Sequence, residues 1–117
     1  MPRKPLLIMV AGPYSSGGAN SDQRAANLRA LNEAALAVQA KGHTPLIGVN
    51  AVLPMIELAG HDRYSELMMP ICRQLAAHCD AVLRIGGPSQ GADEEVEIVI
   101  ANGGIIFRNV AEIPMAD

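Results

Sequence analysis

The sequence predicts an α/β fold of the Rossmann-like or flavodoxin-like type, a three-layer sandwich with a parallel sheet of four or five strands. One reason is that short apolar runs such as 6–11 alternate along the chain with longer segments of helical periodicity. A second is that these runs are apolar throughout, which is typical of strands covered by helices on both faces. With 117 residues, the chain is expected to form a single domain spanning residues 1–117.

The elements follow one another as strand, turn and helix. The apolar runs are predicted as strands at 6–11, 44–49, 81–85 and 105–110. The segments with helical spacing are predicted as helices at 21–41, 65–78 and 93–102, with a short helical or irregular stretch at 53–60. A fifth strand could lie within 50–60 or near the C-terminus.

The first predicted helix has recognisable ends. Asn20, Ser21 or Asp22 can cap its start, because short polar side chains accept hydrogen bonds from the free N–H groups there. Gly42 is expected to end it, since glycine readily adopts the left-handed conformation found at helix C-termini.

Two later segments are ambiguous in the sequence. Pro70 either kinks its helix or begins the second half of it. Residues 95–100 alternate like a strand, but Val96 and Val99 also share a helical stripe that follows a cluster of acidic residues. Acidic residues favour a helix N-terminus, so we predict a helix that leads to the last strand.

Composition narrows the range of partners. The formal charge is −3, with no basic run and only three aromatic residues, which argues against nucleic acid and favours a small ligand. The longest apolar run, 6–11, is far shorter than the about 20 residues that cross a membrane. Cys72 and Cys79 are expected as buried thiols of a cytoplasmic protein. The histidines lack metal-ligand spacing, His43 is expected to be structural, and neither metal nor cofactor is predicted.

Two glycine-rich loops, 12–20 and 86–91, follow the first and third predicted strands. In a strand order 2-1-3-4 these strands are neighbours where the order reverses, so the loops would face each other across one crevice. Helix starts attract anions through their backbone N–H groups, and Ser15, Ser16 and Ser89 add hydroxyls. Neither loop is a dinucleotide-binding or P-loop fingerprint, and both could instead be tight turns that need positive φ.

An acidic triplet, Asp93, Glu94 and Glu95, opens the helix after the second loop. It could be a solvated first turn, or one carboxylate could point into the crevice. A carboxylate there could attack an anomeric carbon or stabilise an oxocarbenium ion. Because the helix dipole favours negative charge, we expect the functional carboxylate to stay ionised.

Three stretches resemble motifs of the nucleoside 2-deoxyribosyltransferase-like superfamily, which includes the 2-deoxynucleoside 5-phosphate N-hydrolases. They are V-A-G-P-Y-S at 10–15, D-A-V-L at 80–83 and S-Q-G-A-D-E-E-V at 89–96. The order of elements matches across nearly the whole chain. The resemblance is closest to a small, mostly uncharacterised branch of this superfamily.

The resemblance implies hydrolysis or transfer at the N-glycosidic bond of a (deoxy)nucleoside or its 5-monophosphate. It implies that Glu95 is the nucleophile and that the Tyr14 hydroxyl orients it. It also implies a set of substrate-binding residues, namely Gly12, Pro13, Ser15, Ser89, Gly91 and Ala92. Because aromatic residues are scarce, the base would lie between aliphatic side chains such as Met55, Met68 or Met69. Relatives complete their sites across a subunit interface, so a homo-oligomer is expected.

One position departs from the resemblance. The family usually has an Asp that protonates or holds the leaving base where this chain has Cys72. A thiol is a poor substitute for a carboxyl group, and Asp62, Tyr64 or His78 could take over. If no acid or histidine lies beside Glu95, the alternative is favoured: a noncatalytic nucleotide-binding or sensing module on the same fold.

Overall fold

The computed structural model describes residues 4–117 and has the predicted α/β architecture. Over these residues the strands are β1 (Leu7–Ala11), β2 (Thr44–Leu46), β3 (Ala81–Arg84) and β4 (Ile105–Phe107). The helices are α1 (Ser21–Ala40), α2 (Gly48–Ala59), α3 (Tyr64–Ala77) and α4 (Gln90–Ala101), with 3-10 turns at Ser16–Gly18, His61–Arg63 and Val110–Glu112. All strand pairs are parallel, in the predicted order β2-β1-β3-β4.

Helices cover both faces of the sheet, which explains why its central strands read as continuous apolar runs. On β1, Ile8 and Val10 pack in a core with α1 and the C-terminal segment. Met9 and Ala11 point to the other face and pack against α3 and α4. Helix α2 adds a smaller core of its own against α3, built from Val52, Ile56, Met68 and Cys72.

The predicted helix ends are largely confirmed. Asn20 caps α1 and forms a capping box with Gln23, and Gly42 follows the helix with a φ of 89°. The ambiguous segment is helical, as predicted. Helix α4 nevertheless begins at Gln90, three residues before the predicted start, because Ser89 is its N-cap.

Several predicted boundaries are wrong. Strand β2 stops at Leu46 because helix α2 begins at Gly48. The stretch 53–60, predicted as short helical or irregular, is helical as far as Ala59. Within the described chain no fifth strand forms there or near the C-terminus. Strand β4 stops at Phe107, since the Arg108 N–H bonds to the Glu112 side chain instead of to a neighbouring strand. Pro70 lies inside α3, which continues on both sides of it.

His43 and the two cysteines have structural positions, as predicted. His43 accepts a hydrogen bond from the Leu6 N–H at 3.0 Å, and its other ring nitrogen lies 2.7 Å from the Pro114 carbonyl oxygen. Cys72 and Cys79 are both buried and unpaired. Among residues 4–117, no helix is long and apolar enough to cross a lipid bilayer.

Candidate functional site

A cavity of about 320 Å³ opens at the carboxyl ends of β1 and β3, where the strand order reverses. Its walls come from the loop after β1 and from α3 and the starts of α2 and α4. The volume is at the lower end of the range of small-molecule pockets, about 300 to 1,000 Å³. The predicted site residues that line it are Gly12, Tyr14, Ser15, Ser89, Gly91, Ala92 and Glu95. The expectation that both loops border a single crevice is therefore confirmed.

Pro13 was expected to contact the ligand, but it does not line the cavity. Its ring packs against the second loop, where a Cβ added to Gly86 would lie 2.8 Å from the Pro13 Cδ. Gly12 makes a similar close approach, because a Cβ there would lie 2.9 Å from the Ile85 carbonyl oxygen. Pro13 thus holds the two loops together and does not line the cavity.

One end of the cavity is polar. The Ser16 hydroxyl donates to the Ser89 hydroxyl oxygen at 2.9 Å, and this oxygen also accepts from the Ala92 N–H at 3.2 Å. The first hydrogen bond of α4 runs from Asp93 to the Ser89 carbonyl, so the N–H groups of Gln90 and the residue after it have no acceptor in the helix. Helix starts of this kind favour anions such as phosphate.

Glu95 contributes a buried carboxylate to the cavity. The residue is 9% exposed, and its side chain makes no hydrogen bond to any part of the described chain. Burial raises the pKa of Glu95 to about 7, with a smaller contribution from the nearby Glu94 charge, while Arg84 opposes the shift. A solvated carboxylate would be ionised at neutral pH, whereas this one is divided between both forms.

The helix dipole was expected to keep the carboxylate ionised, but burial opposes ionisation and raises the pKa of Glu95. The prediction put Glu95 at the start of a helix beginning at residue 93, but α4 begins at Gln90. Glu95 consequently lies in the second turn, and the dipole effect falls off within the first turn. Burial is then the dominant influence on its pKa.

The other two acids of the triplet point away from the cavity. Glu94 forms an ion pair with Arg73, and Asp93 accepts a hydrogen bond from the Arg84 Nε at 3.0 Å. Both acids have solvent access, so these are surface pairs of modest strength. Only Glu95 of the triplet borders the cavity.

Two tyrosines line the cavity. The Tyr14 carbonyl accepts a hydrogen bond from Asn27 at 2.8 Å, which fixes the first loop to α1. No hydrogen bond joins the Tyr14 side chain to Glu95, so its orienting role stays a prediction. The Tyr64 hydroxyl oxygen accepts from the Ser15 hydroxyl at 3.0 Å, and burial raises the Tyr64 pKa. Tyr64 therefore keeps its proton and can donate it in a hydrogen bond to a ligand.

The other end of the cavity is apolar and tightly packed. A Cβ added to Gly48 would lie 2.5 Å from the Cys72 Sγ and 3.4 Å from the Glu95 Oε2, so only glycine fits there. Burial, reinforced by the Glu95 charge, raises the pKa of Cys72 to about 12. Its thiol stays protonated and points toward the Met68 sulfur at 3.6 Å.

Two of the three residues predicted to replace the missing Asp lie outside the cavity. Asp62 and His78 do not line the cavity, whereas Tyr64 does. Among the described residues that line it, Glu95 is the only carboxylate and there is no histidine. Between residues 4 and 117 no three His, Cys, Asp or Glu side chains lie close enough together to bind a metal ion.

Some lining residues were not identified from the sequence. Met68 and Met69 were expected to contact the nucleobase, and both line the cavity. Met55 was expected there too, but it is 43% exposed and lies outside the cavity. The start of α2 was missed because the preceding strand was extended through it. A signal was available, since Gly48 interrupts the apolar run. Comparison of the sequence with models of known families and with curated proteins found no match.

Proposed function

We propose that the protein cleaves the N-glycosidic bond of a (deoxy)nucleoside or its 5-monophosphate, by hydrolysis or transfer, with Glu95 as the nucleophile. The observation that carries this proposal is the Glu95 carboxylate, which is 9% exposed, unpaired and directed at a cavity. Among the described residues no fully buried side-chain oxygen lacks a hydrogen-bond partner, so the Glu95 carboxylate oxygens are accessible from the cavity. Contact with a ligand at the reacting carbon gives it a reason to be there.

The two ends of the cavity suit the two ends of a nucleotide. A 5-phosphate or 5-hydroxyl would lie at the polar end, against the Ser16 and Ser89 hydroxyls and the free N–H groups that begin α4. The base would lie at the apolar end, against Met68, which is next to Cys72 there. Glu95 lies on the second turn of α4, beyond the polar helix start, and its Oε2 is close to Gly48 at the apolar end.

The reaction follows from these positions. An oxygen of the ionised Glu95 carboxylate attacks C1 of the sugar, and the C1–N bond breaks with its electron pair going to the base. Water then attacks C1 of the resulting ester, which releases the sugar and restores Glu95. A second base in place of water gives transfer. The Tyr14 hydroxyl would orient Glu95 once substrate fills the space between them.

The alternative is a noncatalytic nucleotide-binding or sensing module. The observation that favours it is the one expected from the sequence: among residues 4–117 no second carboxylate and no histidine lines the cavity beside Glu95, and of the possible replacements only Tyr64 does. In that role a protonated Glu95 would donate a hydrogen bond to the ligand, or the ionised form would accept one from a sugar hydroxyl.

Release of free base separates the two functions. The protein is incubated with a panel of 2-deoxynucleoside 5-monophosphates, free base is measured by chromatography, and binding is measured by calorimetry on the same samples. Both functions predict binding, but only the first predicts base release. Glu94→Gln is the matched control for Glu95→Gln, because Glu94 pairs with Arg73 on the surface. Self-association stays a prediction that sedimentation measurements would test.

A further inference from the structure

The start of helix α2 presents backbone N–H groups for which residues 4–117 provide no acceptor. The first hydrogen bond of this 12-residue helix runs from the Ala51 N–H to the Ile47 carbonyl. The N–H groups of Gly48, Val49 and Asn50 therefore have no acceptor in the described chain. Ile47 occupies the N-cap position and has no polar side chain to offer, in contrast to Ser89 at the start of α4.

These donors border the same space as the unpaired carboxylate. Ile47, Gly48 and Val49 line the cavity, and a Cβ at position 48 would lie 3.4 Å from the Glu95 Oε2. Glu95 is 9% exposed, and no residue of the described chain makes a hydrogen bond to its side chain. Two independent features, a helix start without a cap and a buried unpaired side chain, thus meet at the apolar end of the cavity.

Cleavage of a glycosidic bond creates a specific need at this place. The departing base takes the bonding electron pair and must be protonated or stabilised as an anion. The Cys72 thiol beside Glu95 has a pKa of about 12 and is a poor proton donor. Arg84 does not line the cavity, because its guanidinium is held by Asp93 and by carbonyl groups of the second loop.

We propose that the N-terminus of α2 binds the base and stabilises its negative charge as it leaves, so that the preferred substrates carry oxo-bases that form stable anions. The inference rests on the proposed function and names its substrate class. It assigns to the free N–H groups of Gly48 and Val49, which line the cavity, the task that a general acid would perform. Uracil-type bases meet the requirement, because their carbonyl groups accept hydrogen bonds and share the charge.

The reaction needs no reactant other than the substrate and water. The Glu95 oxygen forms a bond to C1, the C1–N bond breaks, and the base departs as an anion against the α2 N–H groups. Water then attacks C1 of the ester. Its hydroxyl goes to the sugar, its proton neutralises the base, and the Glu95 carboxylate is restored.

A series of leaving groups tests this assignment. The substrates are 2-deoxyuridine 5-monophosphates with hydrogen, fluorine or a nitro group at C5, which make the base an increasingly stable anion. General acids contribute about 10² to 10⁴ in rate, so without one we expect kcat to rise by about 100-fold or more along the series. Cleavage at rates that do not depend on the substituent would overturn the inference and leave the proposed function intact.

A proline variant removes one donor. Val49→Pro lacks the N–H at the second position of α2, and proline is tolerated in the first turn of a helix. We expect kcat to fall about tenfold or more, with the largest loss for the unsubstituted uracil substrate. Asp22→Pro makes the same change in α1 at an exposed residue away from the cavity, and should leave kcat unchanged. Equal losses in both variants would contradict the inference.

Binding of the free base tests the same site without turnover and without the Val49→Pro variant. Glu95→Gln has a neutral side chain like that of the ester, and 5-nitrouracil is ionised near neutral pH whereas uracil is not. Calorimetry at pH 8 should find 5-nitrouracil bound about tenfold or more tightly than uracil. Equal affinity would overturn the inference. Preference for the anion without any base release would support the α2 site and reject the proposed catalysis.

Discussion

Glu95 shows how the position of one residue within a helix decides its chemistry. Glu95 lies in the second turn of α4, past the polar helix start, on the part of the helix where Val96 and Val99 are also buried. The loss of solvent raises its pKa to about 7. A carboxylate with this pKa can change its charge at neutral pH, which is useful in a site and costly for the fold.

The cost of burying Glu95 should be measurable as a dependence of stability on pH. Its pKa is about 7 in the folded protein and about 4.5 when solvated, so the folded state binds more protons between these values. The stability that protonation provides is present below pH 4.5 and is lost as the pH rises to about 7. Glu95→Gln should therefore be more stable than the parent at pH 8, by about 2 to 3 kcal/mol relative to their difference at pH 5.

Urea unfolding at pH 5 and pH 8 provides this comparison. The exposed Glu97, two residues further along α4, offers a matched control as Glu97→Gln. If the difference in unfolding free energy between the parent and Glu95→Gln is the same at both pH values, burial does not raise the pKa of Glu95.

The same pKa predicts how catalysis depends on pH. Attack on C1 requires the ionised carboxylate, so kcat/KM should rise with pH and level off above a pKa of about 7. Initial rates of base release between pH 5 and 9 provide the profile. If Glu95 acted as a proton donor, kcat/KM would instead fall through the same pH range.

Position 72 is a second point where a single residue decides the chemistry. Cys72→Asp should place a carboxyl group beside Glu95 and raise the cleavage rate of the unsubstituted uracil substrate by about tenfold or more, because a general acid can then protonate the base. Cys72→Asn has a similar shape and no acidic proton, and should not produce this gain. An unchanged rate in a folded Cys72→Asp protein would count against a proton donor at this position.

At the scale of elements, Ser89 couples the second loop to α4 and to the first loop. Ser89→Ala removes the N-cap bond to Ala92 and the contact with Ser16. We expect a loss of about 1 kcal/mol in stability from the missing cap. The KM for a 5-monophosphate should also rise by a larger factor than the KM for the corresponding nucleoside.

The matched control for this prediction is an N-cap that does not reach the cavity. Asn20→Ala removes the cap of α1 at a similar cost in stability. It should leave the ratio of the two KM values as in the parent. A Ser89→Ala protein with the parental ratio would show that the polar end of the cavity does not bind the phosphate.

The starts of helices were harder to predict than their existence. The spacing of apolar residues indicates α1, and Asn20 was among the predicted caps. Ser89 is an equally suitable cap, but the glycine and proline residues around it indicate a turn, and the acidic triplet placed the start of α4 too late. Gly48 was read as part of a strand because its role depends on the distant Cys72, with which any Cβ would collide.

At the scale of the whole molecule, the sequence was enough to predict the class of fold and the place of the crevice. Parallel strands joined by helices restrict the topology strongly, and the order β2-β1-β3-β4 puts the two glycine-rich loops side by side. The sequence was not enough to assign ligand contacts within the crevice. Pro13 and Met55 belong to segments that border the crevice. Pro13 nevertheless packs against the second loop, and Met55 is exposed.

The central claim is that Glu95 forms a bond to C1 of the sugar. The most direct measurement is mass spectrometry of the protein after rapid quenching with a nucleotide whose sugar carries fluorine at C2, which slows breakdown of the ester. We expect an added mass of one fluorinated sugar phosphate on the peptide that contains Glu95, and none in Glu95→Gln. Base release without this adduct, an adduct on another residue, or bound nucleotide that remains intact would contradict it.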